Sequence, residues 1–183
     1  MKKLLLVTVM TFFGLANLFA QEVEFGVKGG LNFASISGDN TGDIDPVTSF
    51  NFGVMSEIPI SEKFSFQPEL MYSGQGYSIG DDTVELSYLN LPLMGKYYVT
   101  KGLSLEVGPQ IGFLLAADNE GTDVKDSFNS VDLGVNFGVS YKLDNGLYFG
   151  LRYNLGLSDI NDLDGFNDKN QNGVFQFSVG YFF

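Results

Sequence analysis

From residue 23 the chain alternates. Val23, Phe25, Val27, Leu31 and Phe33 are interleaved with Glu24, Gly26, Lys28, Gly30 and Asn32. A period of two puts the first set on one face of a β-strand and the second on the other. The pattern recurs seven more times. Its apolar rows run from Phe50 to Ile58, Phe64 to Tyr72, Leu89 to Tyr97, Leu103 to Phe113, Val131 to Tyr141, Leu147 to Leu155 and Phe175 to Phe183. Beyond the N-terminal region no apolar run is long enough for a membrane-crossing helix, so the chain reads as all-β.

The connections predict the topology. Ser61-Glu62-Lys63, Thr100-Lys101-Gly102 and Asp144-Asn145-Gly146 are short, whereas 35–48, 79–84, 117–130 and 158–172 are longer. An even number of strands with short turns alternating with long loops predicts an eight-stranded antiparallel up-and-down transmembrane β-barrel. The turns, and with them both termini, are expected in the periplasm, and the loops outside the cell. Pro59, Pro68, Pro92 and Pro109 fall inside strand-like segments. A closed barrel has no free edge for a residue lacking an N–H, so a bulge or a missing hydrogen bond is expected at Pro68, Pro92 and Pro109.

Residues 1–20 read as a cleavable signal peptide: Lys2 and Lys3, an apolar core from Leu4 to Leu15, and a small Ala20 before Gln21. Leu18 departs from the small-residue rule at the cleavage site. The mature domain is then 21–183, exported from the cytoplasm.

Charge changes the picture next. Without Lys2 and Lys3 the formal net charge of −12 becomes −14. That sign argues against nucleic acid, whose phosphates require Lys and Arg. Most acids, among them Asp39, Asp81, Glu120 and Asp164, fall in the loops, where solvation accounts for them. A sharper reading has divalent cations bridging them to anionic lipid headgroups. The chain has no Cys and no His, which removes disulfides, thiolate and imidazole metal sites, and Ser-His or Cys-His catalysis.

In a membrane barrel the polar row points inward. The expected lumen set is Glu24, Lys28, Asn51, Glu57, Gln67, Glu69, Asn90, Lys96, Glu106, Gln110, Asp132, Asn136, Arg152, Asn154 and Gln176. Eight strands enclose room for side chains but not for an open channel. Glu69, Lys96, Glu106 and Arg152 each lie a few residues from a short turn and carry both signs. They are read as a structural lumen network in which buried charges neutralise one another, rather than as an acid–base pair for catalysis. No catalytic residue, metal ligand or cofactor is assigned.

The segments GVKGGLNFASISGD (26–39), FQPELMYSGQG (66–76), LNLPLMGKYYV (89–99), GPQIGFLL (108–115), LRYNLGLSDI (151–160) and FQFSVGYFF (175–183) resemble the small outer-membrane β-barrel family of Bacteroidetes, often labelled PorT-family proteins. The resemblance spans nearly all of the mature chain and implies a bacterial outer-membrane barrel inserted by the barrel-assembly machinery. Tyr181 and Phe183 then look like its C-terminal assembly signal. Asn90 stands where relatives often carry a charge. The family label brings no activity with it.

DKNQNG, residues 168–173, matches the first half of an EF-hand loop, but its twelfth position is Val179 instead of Glu. Gln171-Asn172-Gly173 is therefore read as the exit of the last loop, with Gly173 at a turn. A looser calcium site on Asp159, Asp162, Asp164 and Asp168 is the alternative. The sequence points to a non-enzymatic, monomeric outer-membrane protein with a structural or surface-interaction role. Its partners would be outer-membrane lipids, the assembly machinery and an extracellular partner of unknown identity. A small channel, a secretion-system accessory barrel and a soluble lipocalin-like carrier are the competing readings.

Overall fold

The computed structural model describes residues 23–38, 41, 44–80, 82–161 and 169–183. The segment read as a signal peptide lies outside these residues. Eight strands form the barrel: β1 Glu24–Gly38, β2 Ile44–Ser61, β3 Phe64–Ile79, β4 Asp82–Tyr98, β5 Leu103–Asn119, β6 Val131–Lys142, β7 Leu147–Gly156 and β8 Asn170–Phe182. Every strand pairs antiparallel with its sequence neighbours, and β1 closes on β8 from Gly26↔Phe182 to Gly38↔Asn170. No edge is left unpaired, which removes the hazard an open sheet would carry.

The alternation works as read. The outer face carries exposed Phe, Leu, Val and Tyr on every strand, and the inner face carries most of the buried polar side chains. Phe50, Phe52 and Tyr72 stack on one another on the outer face, with ring centroids 5.1 to 6.2 Å apart.

Two of the expected long loops are strand instead. β1 continues to Gly38 and β2 begins at Ile44, so little of 35–48 is loop. The connection from β3 to β4 skips only positions 80 and 81, with Gly80 at φ 61°. The strand tops are polar outward, with Ser35, Ser37, Asp45, Ser78, Thr83 and Glu85, and apolar inward, with Ile36, Ile44, Tyr77, Val84 and Leu86. Pairing there continues although the apolar row has changed face, so the apolar-outward pattern ends before the strands do. Long connections follow β5 and β7. The first begins with a two-residue strand, Thr122–Asp123, folded back on Asp118 and Asn119.

The prolines interrupt pairing without shifting it. Between Met55↔Glu69 and Ile58↔Phe66 the β2–β3 ladder lapses beside Pro68. The β3–β4 ladder lapses between Pro68↔Leu93 and Met71↔Asn90, beside Pro92. The β4–β5 ladder lapses between Pro92↔Gln110 and Gly95↔Val107, beside Pro109. The register is the same on both sides each time, so these are missing rungs. True bulges occur between Pro46 and Asn51, between Pro59 and Ser61, and between Ser87 and Tyr88. Beside Pro68 the outer face carries an apolar groove of about 500 Å³ between Phe25, Val54, Leu70, Leu91 and Phe183.

Candidate functional site

The site is the lumen, and it begins at the rim formed by the short turns. Lys96 and Glu106 are directly opposed on β4 and β5. Arg152 on β7 reaches across the barrel. It donates to Glu69 through both terminal nitrogens, at 2.8 and 2.9 Å, and to Glu106 at 2.9 Å. Bidentate contact of this kind is the geometry in which a guanidinium holds a carboxylate best. Lys28 adds a second cation to Glu69 at 2.9 Å. Lys96 lies 3.8 Å from Glu106 and 3.2 Å from Glu57. The structure thus brings Glu69, Lys96, Glu106 and Arg152 together, all at most 5% exposed.

Six further residues, Lys28 among them, join these four. Glu57 also accepts from Lys142 at 3.2 Å and from the hydroxyl of Tyr98, and Lys142 pairs with Glu24. The Tyr148 hydroxyl donates to Glu106 at 3.3 Å. Lys28, Glu57 and Glu24 belong to the expected inward set, whereas Lys142, Tyr98 and Tyr148 do not. Lys142 continues the inward row Asp132, Asn136, Ser140, and that parity is the signal that could have found it. Small residues make room for the long ones: a Cβ on Gly180, opposite Lys28, would stand 2.8 Å from the Lys28 Cβ. Outside this network the rim opens into a cavity of about 770 Å³, bordered by Glu24, Tyr98, Lys101 and Lys142. At the turns, Asp144 accepts a hydrogen bond from Lys101, which holds that exposed ammonium's pKa above the usual lysine value.

Deeper in, charge gives way to amides. Asn51 donates to Asn32 at 2.7 Å, Asn32 to Ser73 at 2.9 Å, Asn136 to Gln110 at 3.1 Å and Asn154 to Asn136 at 3.1 Å. Gln176, half-buried, donates to Asn32. Asn90 points inward and is buried, and its side-chain oxygen has no partner. Asp132 accepts from Ser158 at 2.6 Å and Asn172 at 3.0 Å.

The far end is apolar. Ile36, Leu86, Tyr88, Leu114, Ala117, Phe128 and Ile160 form one buried cluster. Phe128 and Ile160 come from the two long connections, which Asn129 ties together through its backbone N–H to Ile160 and its side chain to the carbonyls of Asp159 and Asn161. Periodicity misses this plug, because an inward Leu86 and an outward Leu89 look alike in sequence.

The metal-like motif is placed elsewhere than the sequence reading puts it. Asn170 to Gly173 belong to β8 and pair with Gly38 to Ser35, so they are not a loop exit. Gly173 has no positive φ; its bare face accommodates Tyr153, whose hydroxyl would lie 3.0 Å from a Cβ there. Val179 is on the outer face. Of the looser calcium set only Asp159 is described, and it accepts the backbone N–H of Asn161 and Asn170. Asp162, Asp164 and Asp168 lie outside the described residues. Among the described residues no three His, Cys, Asp or Glu side chains are grouped to hold a metal. Tyr181 and Phe183 project outward beside β1, and the Phe183 N–H donates to the Phe25 carbonyl at 2.9 Å.

A protein family described as outer membrane protein beta-barrel domain matches residues 19–162. No curated protein matches by sequence. Among solved structures, Neisserial surface protein A is similar at 19% identity and a TM-score of 0.58, over 89% of this chain and 100% of that one. The attachment invasion locus protein Ail of Yersinia pestis is similar at 14% identity and 0.56, with the same coverage. A major outer membrane protein of Thermus thermophilus is similar at 14% identity and 0.51, again over 89% and 100%. At these identities the likeness is one of fold.

Proposed function

The chain belongs to the outer membrane protein beta-barrel domain family, and on that premise we propose that it is a non-enzymatic, monomeric outer-membrane protein with a structural or surface-interaction role. The carrying observation is an apolar outer belt around a lumen whose charges at the turn end are paired and whose far end is plugged. Such a lumen suits a rigid post better than a pore, because every ion entering would have to displace a fixed partner. The short turns and both termini face the periplasm, and the two long connections face outward. The segments resembling PorT-labelled barrels favour a Bacteroidetes origin. Tyr181 and Phe183, at the end of the strand that closes the barrel, serve as the signal to the barrel-assembly machinery.

The loop rim carries Glu85, Asp118, Glu120, Asp123, Asp126 and Asp159 against Lys125 and Lys169. Ail has been observed with sucrose octasulfate, a heparin analogue. The rim here has the wrong sign for such a polyanion, so a partner engaged through the loops would be cationic or neutral. Cell fractionation, mobility on gels with and without boiling, and protease shaving of intact cells test the reading. An outer-membrane band that shifts on boiling and is cut only at the two long connections supports it. A soluble protein, cleavage at the turns, or steady conductance in planar bilayers would overturn it.

A further inference from the structure

The groove beside Pro68 differs from the rest of the outer belt in what forms its floor. Ser56 and Pro68 line it together, and so does Glu69. The Glu69 side chain is wholly enclosed in the lumen, at 0% exposure, while the residue as a whole keeps 2%. What Glu69 shows to the groove is therefore its backbone.

The prolines decide the state of that backbone. Opposed residues of an antiparallel pair alternately exchange two N–H···O bonds and none. The missing rungs of Ser56 with Pro68 and of Glu57 with Gln67 both need the N–H that Pro68 lacks, and the oxygen it would have met is that of Ser56. By the same rule the lapse beside Pro92 leaves the Glu69 carbonyl without its donor. Among the described residues no side chain donates to either oxygen, the Ser56 hydroxyl included. Ser56 lies five residues from the turn end of β2, about 16 Å along the strand and about 12 Å in height once the tilt is allowed for. The apolar band of such a barrel is about 25 Å tall, so both oxygens stand near its middle. Water does not reach that depth, and an acceptor left there without a donor is costly.

We propose that the groove binds a lipid acyl chain carrying a hydroxyl near its middle. The hydrocarbon lies between Phe25, Val54, Leu70 and Leu91, and the hydroxyl donates to the Ser56 or the Glu69 carbonyl. The occupant comes from the bilayer, because the groove is walled by belt residues that are themselves exposed on the outer face. A plain chain fills the same space and leaves both oxygens unmet, so the hydroxyl is what the groove selects. The bound chain also steadies the strand segment that carries the Glu69 carboxylate to Arg152 and Lys28. The inference rests on the belt lying in lipid, which the fractionation above tests by itself; the measurement below needs only the folded barrel.

The test melts the mature barrel in nonionic micelles with increasing stearic acid, or with stearic acid hydroxylated at mid-chain or beside the carboxyl. The midpoint is expected to rise saturably, with the mid-chain hydroxyl acting at a roughly tenfold lower concentration than the other two, the effect of about 1.4 kcal/mol of binding. Pro68→Ala combined with Pro92→Ala returns both N–H groups, so that variant should bind all three chains alike. If it does not fold, Leu70→Trp replaces it: the indole narrows the groove and must weaken every chain. Equal affinity for the three chains in the wild type would overturn the proposal, as would a midpoint that none of them moves. So would a mid-chain preference that survives the double variant, or binding that Leu70→Trp leaves unchanged. A lipid-free dimer in sedimentation equilibrium, lost in Leu70→Trp, would assign the groove to a second copy and overturn it too.

Discussion

The two ends of the lumen fill the same narrow tube by opposite chemistry. At the turn rim the filling is Arg152, Lys28, Lys96 and three buried glutamates, all from strands. At the loop rim it is Leu86, Tyr88 and Leu114 from strands, with Phe128 and Ile160 supplied by the long connections. The difference follows from what each end has available. Turns of a few residues cannot fold back into the barrel, so side chains long enough to cross it must come from the wall. Long connections can insert an apolar residue and tie it down by its backbone. The ionic end depends on every partner being present, because breaking one pair strands another charge; the apolar end loses only what is removed.

Arg152→Met tests the ionic end and should have the largest effect. It leaves Glu69 with Lys28 as its cation and Glu106 with Lys96 at 3.8 Å. The expected loss is about 3–5 kcal/mol, read as a fall in the urea midpoint for unfolding in micelles. Adding Glu69→Gln should recover part of it; a double variant weaker than the single would show that the residues do not act as one network. Ile160→Ala tests the apolar end, with an expected loss of about 2–4 kcal/mol by the same assay. A loss as large as that of Arg152→Met would erase the contrast between the two ends. Tyr98→Phe removes one hydroxyl from Glu57 while leaving Lys96 and Lys142 in place, and about 1–2 kcal/mol is expected.

Lys101→Ala, outside the lumen, should not move the midpoint measurably, since the Lys101–Asp144 pair is fully solvated. The hydrogen bond to Asp144 raises the lysine's pKa in the folded state. Its small contribution is therefore complete below the unfolded value and disappears as pH climbs through the raised one. A gap between wild type and Lys101→Ala that widened as pH rose through the lysine range would contradict that sign.

The barrel itself was legible because lipid and lumen demand opposite side chains from neighbouring residues. The inward placement of Glu69, Lys96, Glu106 and Arg152 followed from parity alone. Their partners required knowledge of which strands face each other, so the Lys142–Glu57 contact across the mouth was out of reach. Parity failed where its premise failed. At the tops of β1 to β4 the outer face is polar and the inner face apolar, the reverse of the belt, so real strands looked like loops. At the Ser87–Tyr88 irregularity the opposing β5 strand places Leu115 and Ala116 both outward, and Ala117 falls inside against the expected alternation. Pro68, Pro92 and Pro109 were legible as interruptions, since the missing N–H is a property of the residue itself.

Those three prolines have a mechanical consequence. Pro68 faces Leu93, and the unchanged registers place Ser56 on one side of that pair and Pro109 on the other, so the lapses line up as a transverse perforation through β2, β3, β4 and β5. A cylinder perforated on one flank yields there before it yields at its ends. Deuterium should enter the amides bordering Ser56, Glu69 and Leu93 earlier than those of the β1–β8 closure, where the ladder from Gly26 to Gly38 is unbroken. Under tension or heat this barrel is expected to tear along its side, with the seam joining its first and last strands still shut.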